Sequence, residues 1–413
     1  MRVLLVGGGG REHALGWKLV NSPRVKELIS LPGNPGLARL GPVVEGISPT
    51  DVGAIAAIAR VHDVDLVVIG PEGPLAAGAA DAVSDVGIPV FGPTRAAARL
   101  EASKAYAKDV MTRAGVATAA SEAFDEPGPA KEHLDGTDGP YVVKADGLAA
   151  GKGVLVTESR AEAARWVDHC LGGGFGAAGS SVLIEDFLDG PEVSVFAVCT
   201  DRGAVPLQPA RDYKRLLAED RGPNTGGMGA FSPVDDLPEG LLDKTMHDVI
   251  DPTLATMAED GHPYRGFLYA GLVLTGDGPK VLEFNVRLGD PETQAVLPRM
   301  ETDLIDVLEG AKPEWSDTAT VSVVLAAAGY PEAPVTGDVI KGLDSVADDV
   351  LVFHAGTAAK GKKLVVDGGR VLNLVGRGPT IEAARIRAYE AVAGLGWPGM
   401  QFRADIALGA GQS

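Results

Sequence analysis

Over its first hundred residues the chain switches repeatedly between two hydrophobic periods. Short apolar runs at Val3–Val6, Glu27–Ser30, Leu66–Ile69 and Val90–Phe91 read as buried strands. Between them, apolar positions recur at helical spacing over Glu12–Val20, Val52–Arg60 and Ala76–Val86. Strands alternating with helices predict an α/β fold with a parallel, doubly wound sheet, and ligands on such sheets bind at the carboxyl ends of the strands. Three of these ends are glycine loops: Gly7–Gly10, Gly33–Gly36 and Gly70–Gly73.

Farther along the pattern is mixed. A helical run from about 101 to 120 carries Lys104 and Lys108. Residues 141–157 are two β-rich segments around G-L-A-A-G-K-G, and residues 182–188 and 192–199 read as further strands. A helix is expected over Leu241–Ala258 and a linker over Lys312–Thr318, which contains Pro313. After it come strands at Val321–Ala326 and Val371–Val375 and a helix at Ile381–Ala393.

Composition narrows the function classes. The formal charge is -19, from 37 basic and 56 acidic residues, which argues against a nucleic-acid or anionic-membrane partner because either needs a basic patch. No apolar run approaches the ~18–20 residues that span a bilayer, and the chain opens on a strand rather than on a signal peptide. A soluble, cytoplasmic monomer acting on small molecules is therefore expected. Cys170 and Cys199 lack a CxxC partner and read as small buried hydrophobes. The seven histidines show no metal-ligand spacing, and no G-x-S-x-G elbow occurs.

The densest chemistry lies in E-F-N-V-R-L-G-D-P-E-T-Q at 283–294. Side chains alternate along a strand, so Glu283 and Asn285 share a face and Phe284 takes the other. A carboxylate beside an amide oxygen suits Mg²⁺, which takes one or two carboxylates plus substrate phosphates. Arg287, Asp290, Glu292 and Gln294 follow in a polar loop. A buried strand end with a satisfied polar turn has the same local pattern.

The loop at 7–10 lacks G-x-G-x-x-G, which disfavours a dinucleotide site. A helix N-terminus there can still hold a phosphate, with Arg11 and His13 beside it, and a ligand-free β–α turn fits equally. The 147–153 loop fails as a Walker A motif: it is one residue short and has Gly153 where Ser or Thr should stand. It reads as a glycine flap whose N–H groups cover phosphate oxygens, with Lys144 supplying a point charge. Glu185, Phe187, Leu188 and Glu192 could line a nucleoside, although ordinary strand ends look the same. R-D-Y-K-R at 211–215 puts Asp212 and Lys214 on one strand face, and G-P-N-T-G-G-M-G at 222–229 is a glycine loop too long for a hairpin turn.

Together these motifs resemble the ATP-grasp ligases, specifically the glycinamide ribonucleotide synthetases of purine biosynthesis. The resemblance spans nearly the whole chain. It is carried by G-G-G-G-R-E-H-A at 7–14, P-G-N-P-G at 32–36, G-P-E at 70–72 and K-A-D-G-L-A-A-G-K-G-V at 144–154. It continues in G-P-N-T-G-G-M-G at 222–229, F-L-Y-A-G-L at 267–272 and R-L-G-D-P-E-T-Q at 287–294. It implies an N-terminal α/β domain over 1–101, an ATP-grasp domain over 102–314 with a small β-rich lid at about 120–190, and a C-terminal mixed α/β domain over 320–413.

The resemblance also implies ATP as co-substrate, glycyl phosphate as intermediate and attack by the amine of 5-phosphoribosylamine. Lys104, Lys144 and the flap residues Gly151, Lys152 and Gly153 would hold the ATP phosphates, with Glu185, Phe187, Leu188 and Glu192 around the adenosine. Glu283 and Asn285 would bind Mg²⁺ or Mn²⁺. Arg287 would stabilise developing charge, while Asp212, Lys214, Asp290 and the loop Gly226, Gly227, Met228 and Gly229 would face glycine and the acyl phosphate. Gly9, Gly10, Arg11, Glu12, Asn34 and Glu72 would bind phosphoribosylamine. Departures from the family pattern include Tyr213 where His is common, and no acid in F-L-Y-A-G-L to serve as an earlier metal ligand. Two alternatives stay open: another ATP-grasp carboxylate–amine ligase of purine synthesis, and a nucleotide-binding regulator without turnover.

Overall fold

The computed structural model describes residues 1–149 and 153–411. Strands Arg2–Gly7, Glu27–Pro32, Leu66–Ile69 and Val90–Phe91 form a parallel sheet in the order second, first, third, fourth. Leu4 and Val6 enter one hydrophobic core and Val3 and Leu5 another, so both faces of the first strand are buried. That explains its uninterrupted apolar run.

Both cores continue into a second, antiparallel sheet. Its strands run in the order Gly203–Pro206, Glu192–Thr200, Gly266–Thr275, Gly278–Asn285. Val195, Ala270 and Phe284 pack with Leu4 and Val6, while Phe196 and Tyr269 pack with Val3 and Leu5. The lid is a third sheet, Ser121–Phe124, Val182–Glu185, Tyr141–Ala145 and Val154–Thr157, backed by helices Pro127–Asp135 and Arg160–His169 around a small core of their own.

A fourth sheet carries an unexpected element. Its order is Arg211–Asp212, Gly229–Ser232, Ala319–Ala326, Arg370–Gly378, Leu351–His354, with helix Ile381–Ala393 packed against it. The first two strands belong in sequence to the segment assigned above to 102–314, yet they pair with the C-terminal strands. Asp212 and the 225–229 loop are thereby built onto the edge of the C-terminal sheet.

Several expected elements differ for local reasons. The helix expected over 76–86 is two, Glu72–Ala77 and Ala79–Asp85, because Gly78 at φ +95° breaks the spiral between them. The 101–120 run is Arg99–Ala102 followed by Lys104–Arg113; Ser103 caps the second by accepting from Tyr106 N at 3.1 Å, and Gly115 at φ +69° follows its end. The 241–258 helix holds a π turn at Met246–Ile250 directly before Pro252, whose ring has no N–H to continue the regular ladder. The 182–188 strand stops at Glu185, where its partner Ser121 runs out, so Phe187 and Leu188 lie in irregular chain.

The N- and C-terminal sheets meet through buried polar side chains. His13 Nδ1 accepts from His354 N at 2.8 Å, and Asn34 Nδ2 donates to the carbonyls of Gly8 and His354 at 2.9 and 2.8 Å. Gly36 leaves no room for a side chain, since a Cβ there would overlap the His13 imidazole. Burial, the neighbouring His354 and Arg39 lower His13 to about 3; burial and Arg39 lower His354 to about 4. Both are therefore neutral in the folded chain at pH 7, and His13 does not add charge to a phosphate site.

These shifts set a pH window. From pH 6.5 downward the unfolded chain takes up protons that the folded chain refuses, so this contribution to stability is full above pH 6.5 and is lost as pH falls toward 4. His354→Asn removes one such group. Urea titrations from pH 6.5 to 4 should then show a slope of stability on pH shallower by about 1.4 kcal/mol per pH unit; an unchanged slope refutes the assignment.

Candidate active site

The floor of the site is the end of strand Gly278–Asn285. Tyr269 and Gly271 on the adjacent strand stand opposite Asn285 and Glu283, so all four positions share a face. Gly271 has no side chain to cover Glu283. Asn285 Nδ2 lies 3.4 Å from Glu283 Oε1. Burial raises the Glu283 carboxyl pKa, but Lys214, Lys144, Lys104 and Arg287 together hold it below its ordinary value. Glu283 is thus an ionised oxygen donor ringed by cations. Among the described residues no cluster of three or more His, Cys, Asp or Glu side chains could hold a metal. A cation here would have a carboxylate and an amide oxygen from the chain, a set that leaves most of its coordination to phosphates and water.

Arg287 is the hub behind this pair. Its Nη2 donates to Glu101 Oε1 at 2.8 Å and to Asn285 Oδ1 at 3.0 Å, and its Nε to Glu72 Oε2 at 3.3 Å. Glu101 also accepts from Val286 N at 2.7 Å. Burial pushes Glu101 up to about 7 although Arg287 opposes it, whereas Arg287 and Arg11 overcome burial and hold Glu72 at about 2. Glu101 was not foreseen from the sequence; the only signal was that a buried Arg287 needs a counter-charge.

Beside this hub lies a second charge cluster. Lys214 Nζ contacts Glu192 Oε2 and lies 3.4 Å from Asp212 Oδ1. Burial raises Asp212, and Lys214 opposes it. Glu192, expected at the nucleoside, stands with Asp212 and Lys214. Ser194 Oγ lies 3.1 Å from both Tyr269 Oη and Glu292 Oε1, and burial followed by the Asp212 charge raises Glu292. Glu292, which the sequence left without a task, is part of this wall.

Across from the floor, Lys144 Nζ donates to Glu185 Oε2 at 2.9 Å, and Lys108 Nζ, unassigned from sequence, reaches the same oxygen at 3.2 Å. Lys104 Nζ donates to Gly147 O at 3.1 Å. Phe187 is exposed and Leu188 half-buried beside this edge. Gly153 O accepts from Ala145 N at 2.7 Å, closing the root of the flap; Gly151 and Lys152 lie outside the described residues.

Several predicted substrate residues are occupied within the chain. Glu12 caps its own helix: one oxygen accepts from Gly9 N at 2.7 Å and the other from Arg11 Nε at 2.5 Å. It fills the space that side chains at Gly7 and Gly70 would need. Asn34 Oδ1 accepts from Gly36 N and Leu37 N, both at 2.9 Å, and its amide nitrogen is used at the domain junction. Met228 is fully buried, and a side chain at Gly229 would strike Ile406. These four are engaged by contacts within the chain. Arg11 and Glu72 do converge: Arg11 lies 4.0 Å from Glu72 and donates to Leu288 O at 3.2 Å, beside Arg287, whereas Gly9 lies toward Asp290 and Gly10 packs against Asn373 and Gln294. Asp290 is held by Gln294 at 2.7 Å and by Arg370 at 2.9 Å.

Comparison with known proteins fits this geometry. Sequence models of phosphoribosylglycinamide synthetase match in three parts: the N domain over residues 1–101, the ATP-grasp (A) domain over 102–293 and the C domain over 320–409. The chain belongs to the phosphoribosylglycinamide synthetase family. Relatives named phosphoribosylamine–glycine ligase include those of Rhizobium meliloti, 45% identical over 98% of both chains, and Streptomyces coelicolor, 48% identical over 98% of this chain and 99% of the relative. The crystal structure of phosphoribosylamine–glycine ligase from Thermotoga maritima superposes with a TM-score of 0.85 at 37% identity, over 98% of this chain and 100% of that one. A biotin carboxylase from Campylobacter jejuni, solved with a β-γ-ATP ligand, shares the fold alone, with a TM-score of 0.73 at 16% identity over 97% of this chain and 92% of that one. Among the described residues no helix is long and apolar enough to cross a membrane.

The Arg287 hub yields a stability prediction. Glu101→Ala leaves the guanidinium one carboxylate and Val286 N–H no acceptor. Glu101 is 8% and Arg287 18% exposed at the side chain, and breaking a buried pair costs about 3–5 kcal/mol. The thermal midpoint should fall by several degrees, and by less in Glu101→Gln, which keeps an acceptor for Val286. An unchanged midpoint in Glu101→Ala shows that the pair contributes nothing.

Proposed function

We propose that the chain joins glycine to 5-phosphoribosylamine at the expense of ATP, giving glycinamide ribonucleotide, ADP and phosphate in purine biosynthesis. Membership of the phosphoribosylglycinamide synthetase family over nearly the full length carries this reading. The arrangement of charge at the strand end supports it.

A carboxylate is a poor electrophile because its leaving group would be oxide. Phosphorylation of glycine by ATP replaces that leaving group with phosphate. The amine nitrogen of phosphoribosylamine then attacks the acyl carbon, the C–O bond to phosphate breaks, and the nitrogen gives up a proton. No side-chain nucleophile is needed, since phosphoryl transfer depends on positioning and charge neutralisation. Lys104, Lys144 and the Gly151, Lys152 and Gly153 flap hold ATP phosphates, and Glu185, Phe187, Leu188 and Glu192 surround the adenosine. Lys144 Nζ donates to Glu185 Oε2 at 2.9 Å and to Leu282 O at 3.4 Å, which supports a place for its ammonium beside the floor. Lys214 and Arg287 stabilise charge that develops on the transferred phosphoryl and acyl groups. Asp212 orients Lys214, and Asp290 with Gly226 and Gly227 shapes the glycine side. The Gly9–Gly10 turn, Arg11 and Glu72 receive phosphoribosylamine.

Glu283 and Asn285 fit a divalent cation, Mg²⁺ or Mn²⁺, through hard oxygen donors on one face. Bound there, the ion would supply positive charge to neutralise the phosphates.

The test is a substrate-omission assay with product identification. ADP release should require glycine and phosphoribosylamine together. Release on formate or bicarbonate in place of glycine would assign a different ligase, and ATP binding without turnover would favour a regulator. Glu283→Ala should lower turnover about a hundredfold or more, as expected for several kcal/mol of lost charge stabilisation. Its thermal midpoint should stay near that of the parent. Near-normal activity would remove Glu283 from the metal site.

A further inference from the structure

We propose that Arg370, supplied by the C-terminal sheet, is a positioning residue for the glycine and amine side of the reaction. It ties two active-site loops into one wall. This inference rests on the ligase reading above. Arg370 starts strand Arg370–Gly378 and is fixed by pairing with Ala326. Its Nη1 donates to the carbonyl of Gly226 and, at 2.5 Å, to that of Asp290, while Nη2 pairs with Asp290 Oδ2 at 2.9 Å. One guanidinium thus satisfies three acceptors on loops that are far apart in sequence. A second C-terminal side chain joins it: Tyr330 Oη accepts from Gly226 N at 3.0 Å.

The contact leads directly to the cations of the site. On its far side the glycine loop is bonded to the backbone beneath Lys214. Thr225 N and Oγ1 both donate to Lys214 O, at 2.8 and 2.7 Å, and Gly227 N donates back to Thr225 Oγ1 at 3.0 Å. Gly227 is held at φ +107° against Pro291, where a Cβ would meet the Pro291 ring at 2.5 Å. The two loops are therefore in van der Waals contact, and Arg370 sets their register. A shift of Gly226 moves the Lys214 backbone, and with it the ammonium that faces Asp212 and Glu283. A release of Asp290 frees the loop that carries Arg287. Nothing in the set touches Lys104, Lys144 or Glu185. The fork of a guanidinium matters here, because a lysine ammonium is one point charge and cannot span the three acceptors.

The experiment is steady-state kinetics on the full chain, varying each substrate in turn. In Arg370→Ala, kcat/KM for glycine and for phosphoribosylamine should fall at least tenfold while KM for ATP stays within twofold. Arg370→Lys should recover little, and added guanidinium ion should restore part of the loss. Tyr330→Phe, which removes a single hydroxyl, should shift kcat/KM for glycine in the same direction by a few-fold. Kinetics within twofold of the parent for both substrates overturn the proposal. So does a loss that falls equally on KM for ATP, which would mark general damage. If Arg370→Ala does not fold, Tyr330→Phe decides: an unchanged kcat/KM for glycine overturns the proposal. Failure of the parent chain to use glycine at all would instead refute the ligase reading.

Discussion

The arrangement depends on one buried cation. The Arg287 guanidinium is largely out of water, and an unpaired charge there would be costly enough to unfold its surroundings. Its counter-charges come from different parts of the chain: Glu72 follows the third strand of the parallel sheet, and Glu101 sits on a short helix after that sheet ends. The N-terminal sheet is thereby locked against the strand end that carries Glu283 and Asn285. Glu101 binds Arg287 and the backbone N–H of Val286 at once, so a single carboxylate fixes both the guanidinium and the end of the strand that carries Glu283 and Asn285. Burial raises both carboxylates; Arg287 and Arg11 outweigh it at Glu72, which is held well down, whereas burial prevails at Glu101, which is pushed up.

The same need for neutrality organises the rest of the site. In a chain of net charge -19, cations are gathered around Glu283. Each is held by a carboxylate or a carbonyl: Lys144 and Lys108 by Glu185, Lys214 by Glu192 and Asp212, Lys104 by Gly147 O. These partners set geometry in advance, which reduces the reorganisation left for the reaction itself. They also cap how much negative charge the chain alone can neutralise. A divalent ion beside Glu283, as proposed above, would supply the difference.

Local features were legible in the sequence. The parallel sheet, the 141–157 hairpin, the face shared by Glu283 and Asn285, and helix Ile381–Ala393 all follow from hydrophobic period and strand alternation. What escaped is non-local. Arg287 meets Glu72 and Glu101 across 215 and 186 residues, and Arg370 meets Gly226 across 144, distances at which no spacing rule operates. The packing role of some glycines escaped for the same reason. Gly7 and Gly70 are small because Glu12 packs against them, and Gly229 because Ile406 does. A glycine needed for close packing and one needed for a phosphate look alike until the neighbour is known.

The division of the chain into sequence blocks hides how the site is shared. The lid keeps its own small core, with no member in common with the other cores. Its links to the rest of the chain include polar ones, Lys144 to Leu282 O on the floor and Asp146 to Ser103 at the cap of helix Lys104–Arg113. Polar links to a separate core can be remade without exposing much apolar surface, which suits the element that must admit a nucleotide. The opposite wall is built differently. Strands Arg211–Asp212 and Gly229–Ser232 are hydrogen-bonded into the C-terminal sheet, and the Ser194 N–H and carbonyl exchange bonds with Ala210. This wall is therefore continuous with two sheets at once. For the ligase reaction proposed above, a wall anchored in two sheets would keep the reacting atoms fixed while a cover with its own core would control the access of water.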